Sequence, residues 1–181
     1  DTQSGYPAPI SVPSRAEVIR VEKPGHPPSD GARLAYPKLH TPDGELTDEA
    51  ASYVALNRNK RGITANIANP QGQQLVRDLA AKCDVLLENY KVGDLIRYGL
   101  DYESIRKINP GIIYCSITAF GQTGPDRSQL GTDPVFQGRS GWAALTGYPE
   151  SEGSSGPILV GAYLTDLFGG CYAAMSVLAA L

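Results

Sequence analysis

The chain has 181 residues, 41% hydrophobic and 19% charged, with a formal net charge of -3. That length and balance suit one globular core. Its 16 lysines and arginines are scattered without a basic run, which argues against a nucleic-acid surface and requires a few local cations for any anionic ligand. Cys83, Cys115 and Cys171 have apolar neighbours and no metal-ligand spacing, so they are expected as buried thiols of a reducing, intracellular compartment.

Pro7, Pro9 and Pro13 lie among Ser, Gly and Thr, and residues 1–15 are expected as an irregular arm ahead of one domain over 16–181. Residues 17–22 alternate as a strand, which the Pro- and Gly-rich stretch 23–31 ends. Loop is expected up to Gly44. A helix is expected over 47–56, with Thr47 as its cap and Glu49 and Ala50 favouring its first turn, followed by a polar, basic turn over 57–62. Residues 63–67 read as a strand. Asn69 then caps a helix over 71–82, with Pro70 at its first position and Leu75, Val76, Leu79 and Ala80 on one face.

A short strand over 84–88, a turn at Val92-Gly93, and helices over 94–98 and 102–108 come next. Asn109-Pro110-Gly111 breaks the second helix, and the unalternating, β-branched run 112–118 resembles a central parallel strand. Strands separated by helices imply βαβ units. The expected fold is therefore α/β, an open, mostly parallel Rossmann-like sheet with flanking helices and ligand chemistry beyond the carboxyl ends of its strands. Gly121, Gly124 and Pro125 would make a compact turn at that rim. A complete dinucleotide fingerprint and a P-loop are both missing.

Asp166 is the only acid in the apolar, small-residue run 160–181. Burying a carboxylate is costly unless something bonds to it, so it is read as a helix cap, an ion-pair member or a nucleophile. A membrane span over 157–181 would bury it at roughly 2.5–3.5 kcal/mol, with little hydrophobicity from the many Gly and Ala residues to offset that cost, so a membrane is not expected. His26 and His40 both fall in the Pro-rich loop, leaving imidazole-based catalysis poorly supported, and clustered metal ligands are lacking. Lys23, Lys60, Arg61, Lys91 and Arg97 could meet several phosphates across the rim. What remains is a carboxylate nucleophile with cations for a polyanionic cosubstrate.

Val18-Ile-Arg-Val-Glu-Lys-Pro, Leu56-Asn-Arg-Asn-Lys-Arg, Asp84-Val-Leu-Leu-Glu-Asn-Tyr, Asn109-Pro-Gly-Ile-Ile-Tyr-Cys-Ser-Ile and Phe120-Gly-Gln-Thr-Gly-Pro occur in one order. In them the chain resembles the family III CoA-transferases (the CaiB/BaiF family) from about Glu17 to Leu181, with wording nearest the dicarboxylate-type branch. The resemblance implies that Asp166 is the catalytic aspartate, passing CoA from an acyl-CoA to a carboxylic acid through an aspartyl anhydride and an aspartyl-CoA thioester. It implies CoA contacts at Lys23, Ala65, Asn66, Ile67, Ala68, Asn89, Tyr90, Lys91 and Arg97. It also implies no required metal or redox cofactor, an interlocked homodimer in the full-length form, and residence in the cytoplasm or mitochondrial matrix.

Against that pattern the family's first strand and helix and most of its second half are absent, and Thr132 stands where a tyrosine commonly precedes Asp133. The chain begins at Asp1 and stops at Leu181 inside a helical pattern, so it reads as an incomplete piece. The alternatives are a catalytically inactive fragment that binds CoA or a full-length homologue, and a 2-methylacyl-CoA racemase-like enzyme, whose proton transfer would want a core histidine.

Overall fold

The structure is a computed structural model that describes residues 16–25, 31–153 and 156–181. The arm expected over 1–15 and His26 lie outside the described residues. The chain is α/β with mostly parallel pairing, as its strand and helix alternation implies, and the described strands are organised as three pairs. β1 (Val18–Glu22) is followed by a 3-10 turn at Gly31–Leu34 and by a hairpin of β2 (Lys38–His40) and β3 (Leu46–Ala50). α1 (Ala51–Leu56) then leads into β4 (Lys60–Thr64), which pairs in parallel with β1 so that Glu22 lies opposite Thr64. α2 (Pro70–Ala80) connects β4 to β5 (Val85–Glu88), and α3 (Tyr102–Arg106) precedes β6 (Ile113–Ser116). β5 and β6 are parallel, with Glu88 opposite Ser116. α4 (Asp133–Arg139), α5 (Trp142–Leu145) and α6 (Leu164–Ala180) complete the described elements.

Several local expectations yield to tertiary contacts. Residues 46–50 form a strand instead of the first turns of a helix: the Thr47 hydroxyl donates across the hairpin to Leu39 O (2.9 Å) and caps nothing. The loop expected up to Gly44 therefore contains β2 and a 3-10 turn. Lys60 and Arg61 belong to β4, which ends at Thr64 because the next residues turn sharply into α2. There Ala65 N donates to Glu22 O (2.8 Å) and Asn69 N to Asn66 O (3.0 Å). Gly72 permits this turn, since a Cβ at that position would lie 2.1 Å from Asn66 O. Asn69 precedes α2 without a side-chain cap bond, while Pro70 occupies the first turn as expected. The helix expected over 94–98 shrinks to the 3-10 turn Ile96–Tyr98, closed by Gly99 at φ 62°. Leu75 faces solvent, whereas Val76 packs inward.

The main core lies where α2 and α3 cover β5 and β6. Ala80, Leu95, Leu100, Ile105 and Ile112 are buried there, with Ile67, Val76, Leu86, Tyr98 and Tyr114 against them. Ile105 is 0% exposed; burying such a side chain is worth about 1.5–3 kcal/mol. Asn109, in the break after α3, donates to Ala80 O (3.0 Å) and Cys83 O (2.9 Å), so the turn that ends one helix also secures the end of another.

A second, smaller core of Ala32, Ala35, Ala50 and Tyr53 lies under the hairpin. Beside it Glu22 receives the Tyr53 hydroxyl (2.5 Å) and Arg33 Nε (3.2 Å) and pairs ionically with Arg20, whose Nε lies 3.0 Å away, while Arg33 Nη1 reaches Glu49 (2.5 Å). Both guanidiniums also lie over the Tyr53 ring, at 4.9 and 3.9 Å from its centroid. Burial opposes ionisation of Glu22, but these donors and cations outweigh it and hold its carboxyl below the usual range. Burial and the bond to Glu22 push the Tyr53 phenol up to about 12.

Among the described residues, no helix is long and apolar enough to cross a membrane, and no cluster of His, Cys, Asp and Glu could hold a metal ion. Cys83 and Cys115 are half-buried. Cys171 is exposed on α6, correcting the expectation of three buried thiols.

Candidate active site

Asp166 falls in the first turn of α6 and is half-buried. The helix starts after Tyr163, which makes no side-chain cap bond. Its leading amides are instead capped from another helix. Asp133 Oδ1 accepts Thr165 N (2.7 Å) and Thr165 Oγ1 (2.6 Å), and the Asp166 backbone N–H adjoins the same carboxylate and favours its charge. Oδ2 accepts Gln137 Nε2 at 2.5 Å. Asp133 is only 4% exposed, so desolvation disfavours its charge, but the donors from Thr165, Gln137 and Asp166 outweigh that and keep its carboxyl below the ordinary aspartate value.

The capping role that an acid near a helix start usually plays is thus taken by Asp133. Asp166 is left with different surroundings. Its side chain accepts no hydrogen bond from a described residue. Burial, and then repulsion from ionised Asp133, raise its pKa from 3.8 to about 6. Two adjacent carboxylates held at different ionisation tendencies are a familiar arrangement at catalytic sites.

Farther along the same helix, Gly169, Tyr172, Ala173 and Ser176 form one wall of a groove of about 740 Å³. Helical spacing sets Gly169 and Ala173 on the stripe that begins with Asp166. β6 and the residues after it supply the opposite wall through Tyr114, Cys115, Ser116, Ile117 and Thr118. The turn beyond contributes Gly121 and Gln122. Gly121 and Gly124 have φ of 80° and 93°, so the compact glycine turn read at this rim is present.

The residues matched to CoA contacts fall into two neighbourhoods. Lys23 follows β1 and Ala65, Asn66, Ile67 and Ala68 follow its partner β4, so both leave the same end of one parallel pair. Ala65 is buried, whereas Lys23 and Ala68 are exposed. The Asn66 carboxamide accepts Ala68 N (3.0 Å), and Gln73 Nε2 holds Ile67 O (3.0 Å). Asn89, Tyr90 and Lys91 follow β5 at the end where β6 also finishes, and all three are exposed. Tyr90 N bonds to Glu88 Oε2 (2.7 Å), and Arg97, exposed on the following 3-10 turn, lies over the Tyr98 ring at 4.7 Å.

Lys60 and Arg61, expected with them at the rim, instead open β4 at the opposite, amino end of its parallel pair, and both are committed there. Arg61 pairs with Glu17. Lys60, partly buried, donates to Asn57 Oδ1 (3.1 Å), and burial together with Arg20 lowers its pKa. His40 is exposed on β2.

Asp133 and Gln137 were not singled out by residue type. Their signal is an Asp-Pro helix start with a second polar residue four positions on, which sets both on one helical face. Thr132, just before them, is exposed and makes no side-chain cap bond.

The profile of CoA-transferase family III matches residues 16–181. The chain is 44% identical over 166 residues to a succinate–glutarate CoA-transferase of Agrobacterium fabrum, covering 92% of this chain and 40% of that one. It is 43% identical over 166 residues to the human succinyl-CoA:glutarate CoA-transferase, covering 92% and 35%. It also superposes on a crystal structure of a CaiB/BaiF family protein from Brucella suis with a TM-score of 0.79 and 42% identity, covering 91% of this chain and 41% of that one. The chain therefore spans about 40% or less of the length of these curated relatives. With the match extending from residue 16 to the last residue, the chain belongs to CoA-transferase family III.

Proposed function

We propose that this chain is the nucleophile-bearing part of an enzyme that moves CoA from an acyl-CoA to a small carboxylic acid, with Asp166 as the catalytic residue. The observation that carries the reading is a half-buried carboxylate in the first turn of α6 that is relieved of capping duty by Asp133 and accepts no bond from a described residue. Its lone pairs are uncommitted, and above about pH 6 it is ionised.

In the first step the Asp166 carboxylate attacks the thioester carbonyl, the C–S bond breaks, and CoA leaves as thiolate with a mixed anhydride on the enzyme. The thiolate then attacks the aspartyl carbonyl, releasing the donor acid and forming an aspartyl-CoA thioester. The acceptor carboxylate displaces that thiolate to make a second anhydride, whose acyl carbon the thiolate captures, regenerating Asp166. The sequence of steps conserves charge and needs no metal or redox cofactor. Exclusion of water is what protects the two anhydrides.

CoA is assigned to Lys23, Ala65, Asn66, Ile67, Ala68, Asn89, Tyr90, Lys91 and Arg97. Their support is the exposed cations Lys23, Lys91 and Arg97, with turns that follow parallel strands. Residues 16–181 are read as part of a larger domain in which the parallel pairs join one Rossmann-like sheet. The full-length enzyme is read as an interlocked homodimer of the cytoplasm or mitochondrial matrix. The exposed apolar side chains of α6, including Phe168, Tyr172, Met175 and Leu178, are suited to such burial.

Incubation with succinyl-CoA, trapping with hydroxylamine or borohydride, and mass spectrometry test the reading. An adduct at Asp166, absent from Asp166→Ala, is expected. The chain's share of its relatives' length favours a second reading, a fragment that binds CoA without turning it over; CoA binding with no adduct in the unaltered chain would establish that reading.

A further inference from the structure

Gln137 is 1% exposed, an unusual position for a carboxamide, and its polar atoms bond both to Asp133 of its own helix and to a segment outside it. Oε1 accepts Val160 N at 2.8 Å. Nε2 donates to Asp133 Oδ2 at 2.5 Å and lies 3.2 Å from Ala162 O and 3.4 Å from Val160 O. Only one orientation of the amide fits: the backbone N–H needs the oxygen, while the carboxylate and the carbonyls need the nitrogen. Gln137 therefore joins α4 to residues 160–162, the stretch that enters α6 four residues before Asp166.

The same amide holds Asp133, whose other oxygen holds Thr165. One side chain thus fixes the path into α6 and the position of the acid that caps it. A leucine or methionine would fill comparable volume, but would leave Val160 N and one Asp133 oxygen without these bonds in a buried place.

We propose that Gln137 is a positioning residue for acyl transfer, tying the 160–162 backbone and Asp133 together so that the Asp166 carboxylate is held at a fixed distance from its neighbouring acid. The proposal rests on the reading of Asp166 as nucleophile and adds to it the device that sets the nucleophile's place. Asp133, from α4, is the charged group that acts on Asp166 among the described residues. β6, packed against the same helix, presents Tyr114 and Cys115 along the groove, both raised by burial and therefore neutral near pH 7. Changes in how Asp166 titrates accordingly report on its separation from Asp133.

The test is a carbon-detected NMR titration of the Asp133 and Asp166 carboxyls in the 181-residue chain and in Gln137→Met. In the variant the Asp166 midpoint is expected to fall by about one pH unit and the Asp133 midpoint to rise by about one, because the cap loosens and the acids separate. Midpoints unchanged in a folded Gln137→Met would overturn the proposal. Should that variant fail to fold, the unaltered chain decides: the Gln137 side-chain amide must shift with the Asp133 titration, and Val160 N–H must resist hydrogen exchange. A freely rotating amide and an unprotected Val160 would overturn it equally. Adduct trapping scores the acyl-transfer reading separately, since none of these titrations requires a thioester.

Discussion

Two acids shielded from solvent in this chain, one partly and one fully, are kept ionised by opposite means. Glu22, at the end of β1, is surrounded by Arg20, Arg33 and the Tyr53 hydroxyl, so its charge is met by charge. Asp133, at the start of α4, is satisfied by neutral donors from Thr165, Gln137 and the α6 backbone. The consequence differs for the neighbours. Around Glu22 the charges are drawn into mutual pairing, which suits a structural joint between the hairpin and the first parallel pair. Around Asp133 the net negative charge remains and falls on Asp166, which is pushed up to about 6. A paired acid stabilises; an acid held ionised without a counter-cation makes the next acid harder to ionise.

The largest effect that would test this contrast is on chemistry. Asp166→Asn should abolish the trapped acyl adduct, and adduct formation by the unaltered chain should fall about tenfold per pH unit below pH 6, as measured by trapping across a pH series. An equal rate near pH 4.5 would remove Asp166 as the titrating nucleophile.

On stability the order reverses. Glu22→Gln should lose about 3 kcal/mol in urea unfolding, because Arg20 and Arg33 then share the Tyr53 ring without the carboxylate that joins them, leaving Arg33 only Glu49. Asp166→Asn should instead gain about 1–2 kcal/mol at pH 7, a figure reduced from the full linkage value because the side chain is only half-buried and solvent screens it. The signs follow from proton binding. Asp166 in the folded chain keeps its proton to about pH 6, whereas the unfolded chain sheds it near 3.8, so stability declines as pH rises through that window. Glu22 and Asp133 have lowered values. Their contribution is present above the ordinary carboxylate range and is lost as pH falls below it. Unfolding free energies measured from pH 3 to pH 7, at intervals of about half a unit, should show the decline between about 4 and 6 in the unaltered chain and a smaller one in Asp166→Asn, where Glu88, raised by burial, still contributes.

Smaller changes sharpen the same comparison. Tyr53→Phe keeps the ring beneath both guanidiniums but removes the donor to Glu22, with an expected loss of about 1–2 kcal/mol in the same assay. Thr165→Val removes one of the donors to Asp133 and should cost about 1 kcal/mol while making Asp133 easier to protonate, which a carboxyl titration would read directly.

Much of this architecture was visible in local pattern. The β-branched run 112–118, of which Ile113–Ser116 forms β6, the Pro70 start of α2 and the lone acid at the head of α6 are short-range signals, set by φ restriction, side-chain period and polarity contrast. The family, too, was legible, since its motifs recur in order along the chain. Residues 46–50 were not legible as strand, because what makes them so is a hairpin partner several residues away whose hydrogen bonds outweigh the helix preference of Glu49 and Ala50.

The division at the site has the same cause. Sequence alone determined that Asp166 is an acid with no local partner, since an apolar neighbourhood is written in adjacent residues. Only the tertiary structure decided that it is not the cap, because the cap arrives from Asp133, 33 positions earlier by residue number, and is held there by Gln137. Bonds between distant segments depend on how the helices pack, and packing is a property of the whole fold that no window of residues contains.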